Sequence, residues 1–217
     1  MSRAPTTLIL DLDGTLLDSR PAILACFTKA VAEVFPGRRL DVEKVLLGPP
    51  IRRMFQVSFP EATEGELDGL LGEFRRHYDR EGPLKTAPYE GALDTLAHCK
   101  SRGLALDIAT NKPLRISKAI LAHLKMDHYF RSIAASDSVR PPFASKGEIL
   151  RHLLQIHCLV EARTWYVGDS AEDAQACAEC GLPFVWAAYG YGRLGEAEAK
   201  SVFRTIRSLV ELKEILR

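Results

Sequence analysis

Asp11 and Asp13 stand two residues apart in the run Asp11-Leu12-Asp13-Gly14-Thr15-Leu16-Leu17-Asp18-Ser19, directly after the apolar triplet Leu8-Ile9-Leu10. The triplet reads as a short buried strand, so both carboxylates emerge at its carboxyl edge, where open α/β sheets bind ligands. Carboxylates placed so close repel each other unless a cation or a shared proton relieves them. A hard divalent ion answers that need, and Mg²⁺, which takes oxygen ligands, fits best. Gly14 allows a sharp backbone turn beside whatever is bound. The same residue types also build solvated turns, so this loop alone leaves both readings open.

Three further clusters extend the pattern. Thr110-Asn111-Lys112-Pro113 follows the run Leu104 to Ala109 and offers a hydroxyl and backbone amides, a phosphate-sized set of donors, with Pro113 suited to the first turn of a helix. Ser145-Lys146-Gly147-Glu148 has the form of a capping box ahead of Ile149. That places Lys146 at a helix N-terminus, where the dipole also favours an anion. Gly168-Asp169-Ser170-Ala171-Glu172-Asp173 follows the run Trp165 to Val167 and brings two more acids, four apart. Taken singly, Thr110 is also a plausible helix cap, Lys146 a surface lysine, and Asp169 with Asp173 a capped helix start. The joint order Asp, Thr, Lys, Asp at the carboxyl side of successive strands points to one site.

The elements that must position these residues follow from periodicity. At ~150 residues per domain, 217 residues make about 1.4 domains, which favours one core with a sizeable insertion. After Leu8 to Leu10, apolar runs recur at Leu104 to Ala109, Ile133 to Ala135, Trp165 to Val167 and Pro183 to Ala187. Helical stripes alternate with them: Ile116, Ile120 and Leu124, then Ile149, Leu153 and Ile156, while Ile206, Leu209 and Val210 read as a terminal docking helix. Strand–helix alternation with continuously apolar strands predicts a Rossmann-like parallel sheet covered on both faces. The interval from Leu12 to Leu104 is far longer than one crossover needs. Its stripes, Ile23-Phe27-Val31-Val34 and Leu67-Leu70-Leu71-Phe74-Tyr78, predict a small helical cap over residues 19–85. Residues 1–18 and 86–217 then form the catalytic core, rejoined through Gly82-Pro83-Leu84 to Pro88.

Composition narrows the function classes. Lys and Arg number 29 against 28 Asp and Glu, a net +1, so no global field draws the protein to nucleic acid or acidic lipid. No stretch approaches the ~18 apolar residues of a membrane span, and Asp11 interrupts the only early apolar run, so a signal peptide is not expected. Five cysteines without framework spacing fit a reducing, cytoplasmic setting. Cys177-Ala178-Glu179-Cys180 has the spacing of a metal half-site but no companion pair, and reads as core filler. Trp165 and Trp186 read as packing residues, and Tyr189 and Tyr191 as a loop that could line the mouth. Within the insert, Arg20 to Pro83, ten basic residues balance ten acidic ones, yet all three Arg-Arg pairs of the chain lie there. The pair after Gly48-Pro49-Pro50 is the best placed: a proline-stiffened loop would deliver Arg52 or Arg53 to grip a substrate carboxylate.

The whole pattern resembles the haloacid dehalogenase superfamily of phosphohydrolases, and within it the phosphoglycolate phosphatase-like group. Asp11 to Thr15 match the first motif, Thr110 the second, Lys146 the third, and Gly168-Asp169 with Asp173 the fourth, while Tyr189-Gly190-Tyr191-Gly192 is similar to a stretch common in that group. One departure is that Lys146 is followed by Gly147, where many members have proline. The resemblance implies a sheet of order 5-4-1-2-3 with the cap inserted after the first strand. It implies a phosphatase in which Asp11 attacks phosphorus and Asp13 moves the proton. Mg²⁺ would be held by the Asp11 carboxylate, the Asp13 backbone carbonyl and Asp169, with Asp173 behind them or ligating through water. Thr110, the Asn111 amide and Lys146 would stabilise the transferring group. The expected substrate is a small phosphorylated metabolite, 2-phosphoglycolate first; pyrophosphate, a sugar phosphate, a nucleotide, phosphomutase activity and a non-catalytic phosphate-binding scaffold are the alternatives. Thr15 after Gly14 leans toward hydrolysis over mutase chemistry. Monomer and homodimer both stay open.

Overall fold

In the computed structural model, which describes residues 4–216, the chain divides into two compact units: one takes the residues up to Asp18 and from Pro88 onward, the other Ser19–Ala87. In the first unit, β1 (Thr7–Leu10) is buried at every position, as a continuously apolar strand inside a two-faced sheet must be. It pairs in parallel with β4 (Ala105–Thr110) on one side and β6 (Thr164–Gly168) on the other, with Leu10 opposite both Ile108 and Val167. Outside these lie β5 (Ser132–Ala135) beyond β4, and β7 (Phe184–Ala187) then β8 (Val202–Ile206) beyond β6. All five pairings are parallel. The helices of this unit are α4 (Ala92–Ser101), α5 (Leu114–His123), α6 (Lys146–Ile156), α7 (Ala171–Cys180), α8 (Glu196–Ala199) and α9 (Leu209–Ile215). The fold is the expected Rossmann-like α/β core.

The order β5-β4-β1-β6-β7-β8 differs from the five-strand expectation by an added edge strand. Ile206, read above as helical, closes β8 and is buried there, and the last helix starts three residues later on Leu209 and Leu212, leaving Val210 exposed. The run shows neither a continuous apolar stretch nor an alternation, being exposed at both Arg204 and Thr205, so periodicity gives no strand signal there. Ile156 also leaves its predicted stripe: α6 buries Ile149, Leu150 and Leu153 instead.

The second unit holds α1 (Arg20–Val34), α2 (Ile51–Ser58) and α3 (Glu64–Lys85). Its core is aromatic: Phe27 stacks on Phe55 with centroids 4.0 Å apart, Phe74 meets Phe55 edge-on, and Tyr78 stacks on Phe74. A full Thr63–Glu66 capping box starts α3. The helix runs through Pro83 to Lys85, and both the N–H and the hydroxyl of Thr86 bond the Gly82 carbonyl and close the last turn. A two-stranded ribbon of β2 (Leu17–Asp18) and β3 (Ala87–Pro88) forms where the chain leaves the first unit and returns to it. No helix among the described residues is long and apolar enough to cross a membrane, and all five cysteines are free.

Candidate active site

Parallel pairing carries straight into the site. The Asp11 N–H bonds the Val167 carbonyl at 2.9 Å, continuing the β1–β6 ladder one residue past β1 and setting Asp11 beside the exit of β6 that leads to Asp169. Beyond Asp11 the loop is knitted onto one carbonyl: the N–H groups of Thr15, Leu16 and Leu17 all point to Leu12 O. Leu12, Leu16 and Leu17 are fully buried, and this apolar anchoring fixes the backbone of the loop that carries Asp13. Gly14 sits at φ +81°, and a Cβ there would lie 2.3 Å from the Asp169 carboxylate. Only glycine fits both demands.

Lys146, at the first position of α6, is buried and bridges two acids, with Nζ 3.0 Å from Asp11 Oδ1 and 3.0 Å from Asp173 Oδ1. The expected capping box is half-formed: Ser145 Oγ accepts from the Glu148 N–H, but the Glu148 carboxylate reaches back to the Ala144 N–H. Asp173 is saturated. Its Oδ1 also accepts from the Tyr166 hydroxyl at 2.7 Å, and its Oδ2 from the N–H and hydroxyl of Ser170 in a complete capping box. Asp169 Oδ2 accepts from the N–H groups of Tyr191 and Gly192 at 2.8 and 2.9 Å.

The electrostatics follow from this wiring. Burial first, opposed by Lys146 and reinforced by Asp173, Asp169 and Asp13, pushes the Asp11 carboxyl up to about 7. Burial and then Asp173 push Asp169 up to about 6, against the two N–H donors. Burial would raise Asp173 too, but Lys146, Ser170 and Tyr166 hold it below the usual carboxylate range. Burial would lower Lys146, and Asp11 with Asp173 outweigh it.

Oxygens of Asp11, Asp169 and Asp173 lie within 4.8 Å of one another. When all three are ionised, the single charge of Lys146 leaves two negative charges uncompensated, which is the charge of a divalent cation. Asp11 Oδ1 is buried without a hydrogen bond among the described residues, although Lys146 pairs with it electrostatically, and Thr15 Oγ1 is likewise buried without one. The residues therefore fit a Mg²⁺ ion, with Asp11 and Asp169 offering oxygen and Asp173, already bonded at both oxygens, aligning Lys146. The Asp13 carboxylate stands outside this group: its Oδ2 accepts from Lys112 Nζ at 2.7 Å. A second cluster, Glu33, Glu73 and His77 in α1 and α3, has Arg76 bonded to both glutamates at 2.6 Å and His77 against Glu33, so each of its carboxylates already has a protein partner.

Thr110 ends β4, buried, its Oγ1 accepting from the Lys112 N–H at 3.2 Å, which leaves the hydroxyl proton to donate. The Asn111 side chain is engaged by Glu172 at 2.9 Å. Arg52 and Arg53 lie in the first turn of α2 and not on a loop, since Pro50 caps that helix. Arg52 is bonded to both Glu64 and Asp68, which takes up its guanidinium; Arg53 is exposed. Cys177 and Cys180 are packing groups, their thiols pushed up by burial.

Sequence reading missed Lys112 and undervalued the loop after β7. Trp186 Nε1 donates to the Asp169 carbonyl at 3.1 Å, the Tyr189 hydroxyl to Thr15 O at 2.7 Å, and the Tyr191 hydroxyl to Leu17 O at 3.2 Å. This loop ties the Asp169 corner to the Asp11–Asp18 loop. A Cβ on Gly190 would come within 2.3 Å of Asp169 Cβ and 2.4 Å of Gly14 O. The repeating Tyr-Gly-Tyr-Gly was the available signal. We expect Gly190→Ala to raise the Mg²⁺ concentration needed for half-maximal activity by about 10–100-fold, the usual cost of disturbing groups behind a metal ligand; an unchanged Mg²⁺ titration would remove this role.

A Ser–His–Asp set at the opposite end of the strands is structural. Ser132 Oγ lies 2.5 Å from His157 Nε2 and donates to Asp107 at 3.0 Å, but the same imidazole nitrogen also faces Asp107 and no relay is formed. Asp107 is fully buried and is neutralised by a two-point bond from Arg131.

The sequence pattern of the haloacid dehalogenase-like hydrolase family matches residues 8–187, which include Asp11, Asp13, Thr110, Lys146, Asp169 and Asp173. The chain belongs to this family. A phosphoglycolate phosphatase from Rhodobacter capsulatus is 32% identical to this haloacid dehalogenase-like hydrolase over 192 residues, covering 85% of this chain and 84% of that one. The solved structure of the Mycobacterium tuberculosis protein tyrosine kinase A is 28% identical with a TM-score of 0.83, covering 99% of each chain. A predicted phosphoglycolate phosphatase from Haemophilus somnus 129PT superposes with a TM-score of 0.87 over 100% of both chains; at 23% identity it speaks for the fold alone.

Proposed function

We propose that this haloacid dehalogenase-like hydrolase, a phosphoric monoester hydrolase, acts with Mg²⁺ on a small acidic phosphomonoester, 2-phosphoglycolate being the first to try. The observation that carries the reading is the buried nucleophile-grade carboxylate of Asp11 held against Lys146 and beside Asp169 and Asp173. The Rhodobacter capsulatus relative supports the substrate class.

In this mechanism an Asp11 oxygen forms a bond to phosphorus as the bond to the leaving oxygen breaks. Asp13 gives that oxygen a proton, then takes one from the water that cleaves the aspartyl-phosphate and restores Asp11. Lys146, the Thr110 hydroxyl and the Asn111 amide meet the charge on the equatorial oxygens. Asp11 and Asp169 would hold Mg²⁺, which would supply neutralisation of the negative charge at the reacting groups. Asp13 also separates chemistries: a halide leaves without a proton, so carbon–halogen cleavage has no use for this acid.

The helical unit, inserted directly after Asp18, serves in this reading as the cap that selects the rest of the substrate, opening and closing about residues 18–20 and 84–88. Arg53 is its candidate carboxylate grip, since Arg52 is already paired. A hydrolysis screen over phosphorylated metabolites, with Mg²⁺ and with EDTA, tests the proposal. Phosphate release should fall by at least ~100-fold in EDTA, in line with the several kcal/mol a catalytic metal contributes. Equal turnover in EDTA sinks the metal-dependent scheme, and a preference for neutral esters unaffected by Arg53→Ala sinks the acidic-substrate reading.

A further inference from the structure

Two lysines enter this site, and the mechanism above uses one. Lys112 lies two residues past β4, its side chain only 6% exposed, with Nζ 2.7 Å from Asp13 Oδ2. Burying a long ammonium side chain at a loop costs free energy unless a partner repays it. The loop holds it firmly: the Lys112 N–H bonds Thr110 Oγ1, Ser117 Oγ donates to the Pro113 carbonyl at 3.0 Å, and the Leu114 N–H bonds Asp137 Oδ1 at 2.7 Å. Lys112 is thereby pinned between the transferring-group hydroxyl of Thr110 and the start of α5. Asp13, by contrast, follows the apolar anchor Leu12 with a quarter of its side chain exposed, so the loop alone does not fix its carboxyl.

We propose that Lys112 is a positioning residue for proton transfer: by engaging Oδ2 of Asp13 it fixes the orientation of the carboxyl that serves the leaving group. The inference rests on the phosphatase reading, and in particular on Asp13 as the proton donor. In the step concerned, an Asp11 oxygen bonds phosphorus, the bond to the leaving oxygen breaks, and the Asp13 proton passes to that oxygen. Charge on the equatorial oxygens belongs to Lys146, so the two lysines divide the labour.

The dependence on leaving group isolates this role. kcat/KM ends at leaving-group departure and excludes the later attack of water, and p-nitrophenolate departs with little need of a proton while phenolate and alkoxides need one. Lys112→Met, Lys112→Arg and Asp13→Asn would be measured on p-nitrophenyl, phenyl and ethyl phosphate with Mg²⁺. Lys112→Met should lose about 30-fold or more on ethyl phosphate and ~3-fold or less on p-nitrophenyl phosphate, part of the 10²–10⁴-fold that a positioned acid supplies. Lys112→Arg should recover part of the ethyl phosphate rate, and Asp13→Asn should show the same graded loss. Equal losses of Lys112→Met across the three esters, or none, overturn the proposal while Asp13→Asn still shows the gradient. A wild-type enzyme that hydrolyses neither these esters nor any phosphorylated metabolite of the screen overturns the phosphatase reading, and this inference with it.

Discussion

Asp11→Asn will lower turnover of p-nitrophenyl phosphate by ~10⁴-fold or more, on the scale of losing a catalytic nucleophile, and will leave the metal-free protein more heat-stable than the wild type. The first effect follows from chemistry, because an amide oxygen cannot form the aspartyl-phosphate. The second follows from the crowding of acids. Burial pushes Asp11 up to about 7 from an ordinary 3.8, so its ionisation costs more folded than unfolded. That penalty is fully present above about pH 7 and is relieved as pH falls through 7 toward 4. Metal-free wild type should therefore gain stability between pH 8 and pH 6, and Asp11→Asn should gain less, since of the two raised carboxyls it keeps only Asp169, at about 6. Each kcal/mol relieved moves the midpoint about 2–4 °C in a chain of this size. Calorimetry in EDTA reads both curves; a variant less stable than wild type at pH 8 would refute the charge-crowding account.

Lys146→Met should be damaging on both counts. The ammonium is 3.0 Å from Asp11 and 3.0 Å from Asp173, and Asp173 has no exposed surface. Removing one partner of a buried pair leaves an uncompensated charge, which costs about 3–5 kcal/mol, or on the order of 10 °C in Tm. kcat should fall about 10²–10³-fold, the range for loss of one electrostatic contact to the transferring group. The stability loss has a signature that simple cavity formation lacks. Asp173, held low by Lys146, Ser170 and Tyr166 against its burial, would lose its main cation and rise, so acidification toward pH 5 should recover part of the lost midpoint. A shift under ~2 °C, about half a kcal/mol, or a loss independent of pH, would show that Lys146 does not carry the charge balance of the site.

The legible part of this protein was its spacing. Leu8-Ile9-Leu10 followed by two aspartates announced a strand end with a charged mouth, and the recurrence of Thr110, Lys146 and Asp169 after later apolar runs located the same edge three more times. Continuously apolar strands, helical stripes such as Ile23-Phe27-Val31, and the long gap after Leu12 were enough for a parallel core with a helical insert, because burial on both faces and 3.6-residue periodicity are local properties. Ile206 shows where local reading stops. An edge strand pairs on one side only, so Val202–Ile206 carries no full apolar run, and its pairing with β7 exists only once the sheet is assembled.

The sequence by itself thus pointed to the groups of the site: the acids Asp11, Asp13, Asp169 and Asp173, the Thr110 hydroxyl and Lys146, all in segments that follow strand ends. Tertiary structure alone decided how they divide the work. Side-chain partners depend on directions across elements far apart in the chain, and no periodicity encodes them. Hence Lys112, 99 residues from Asp13, reaches its carboxyl, while Arg52 is spent on Glu64 and Asp68. The Tyr191 and Gly192 amides close on Asp169, and Asp173 turns both oxygens inward onto Lys146, Tyr166 and Ser170. The charge excess that makes room for a divalent ion follows from these pairings, since it is counted after each buried acid has found or failed to find a cation of its own.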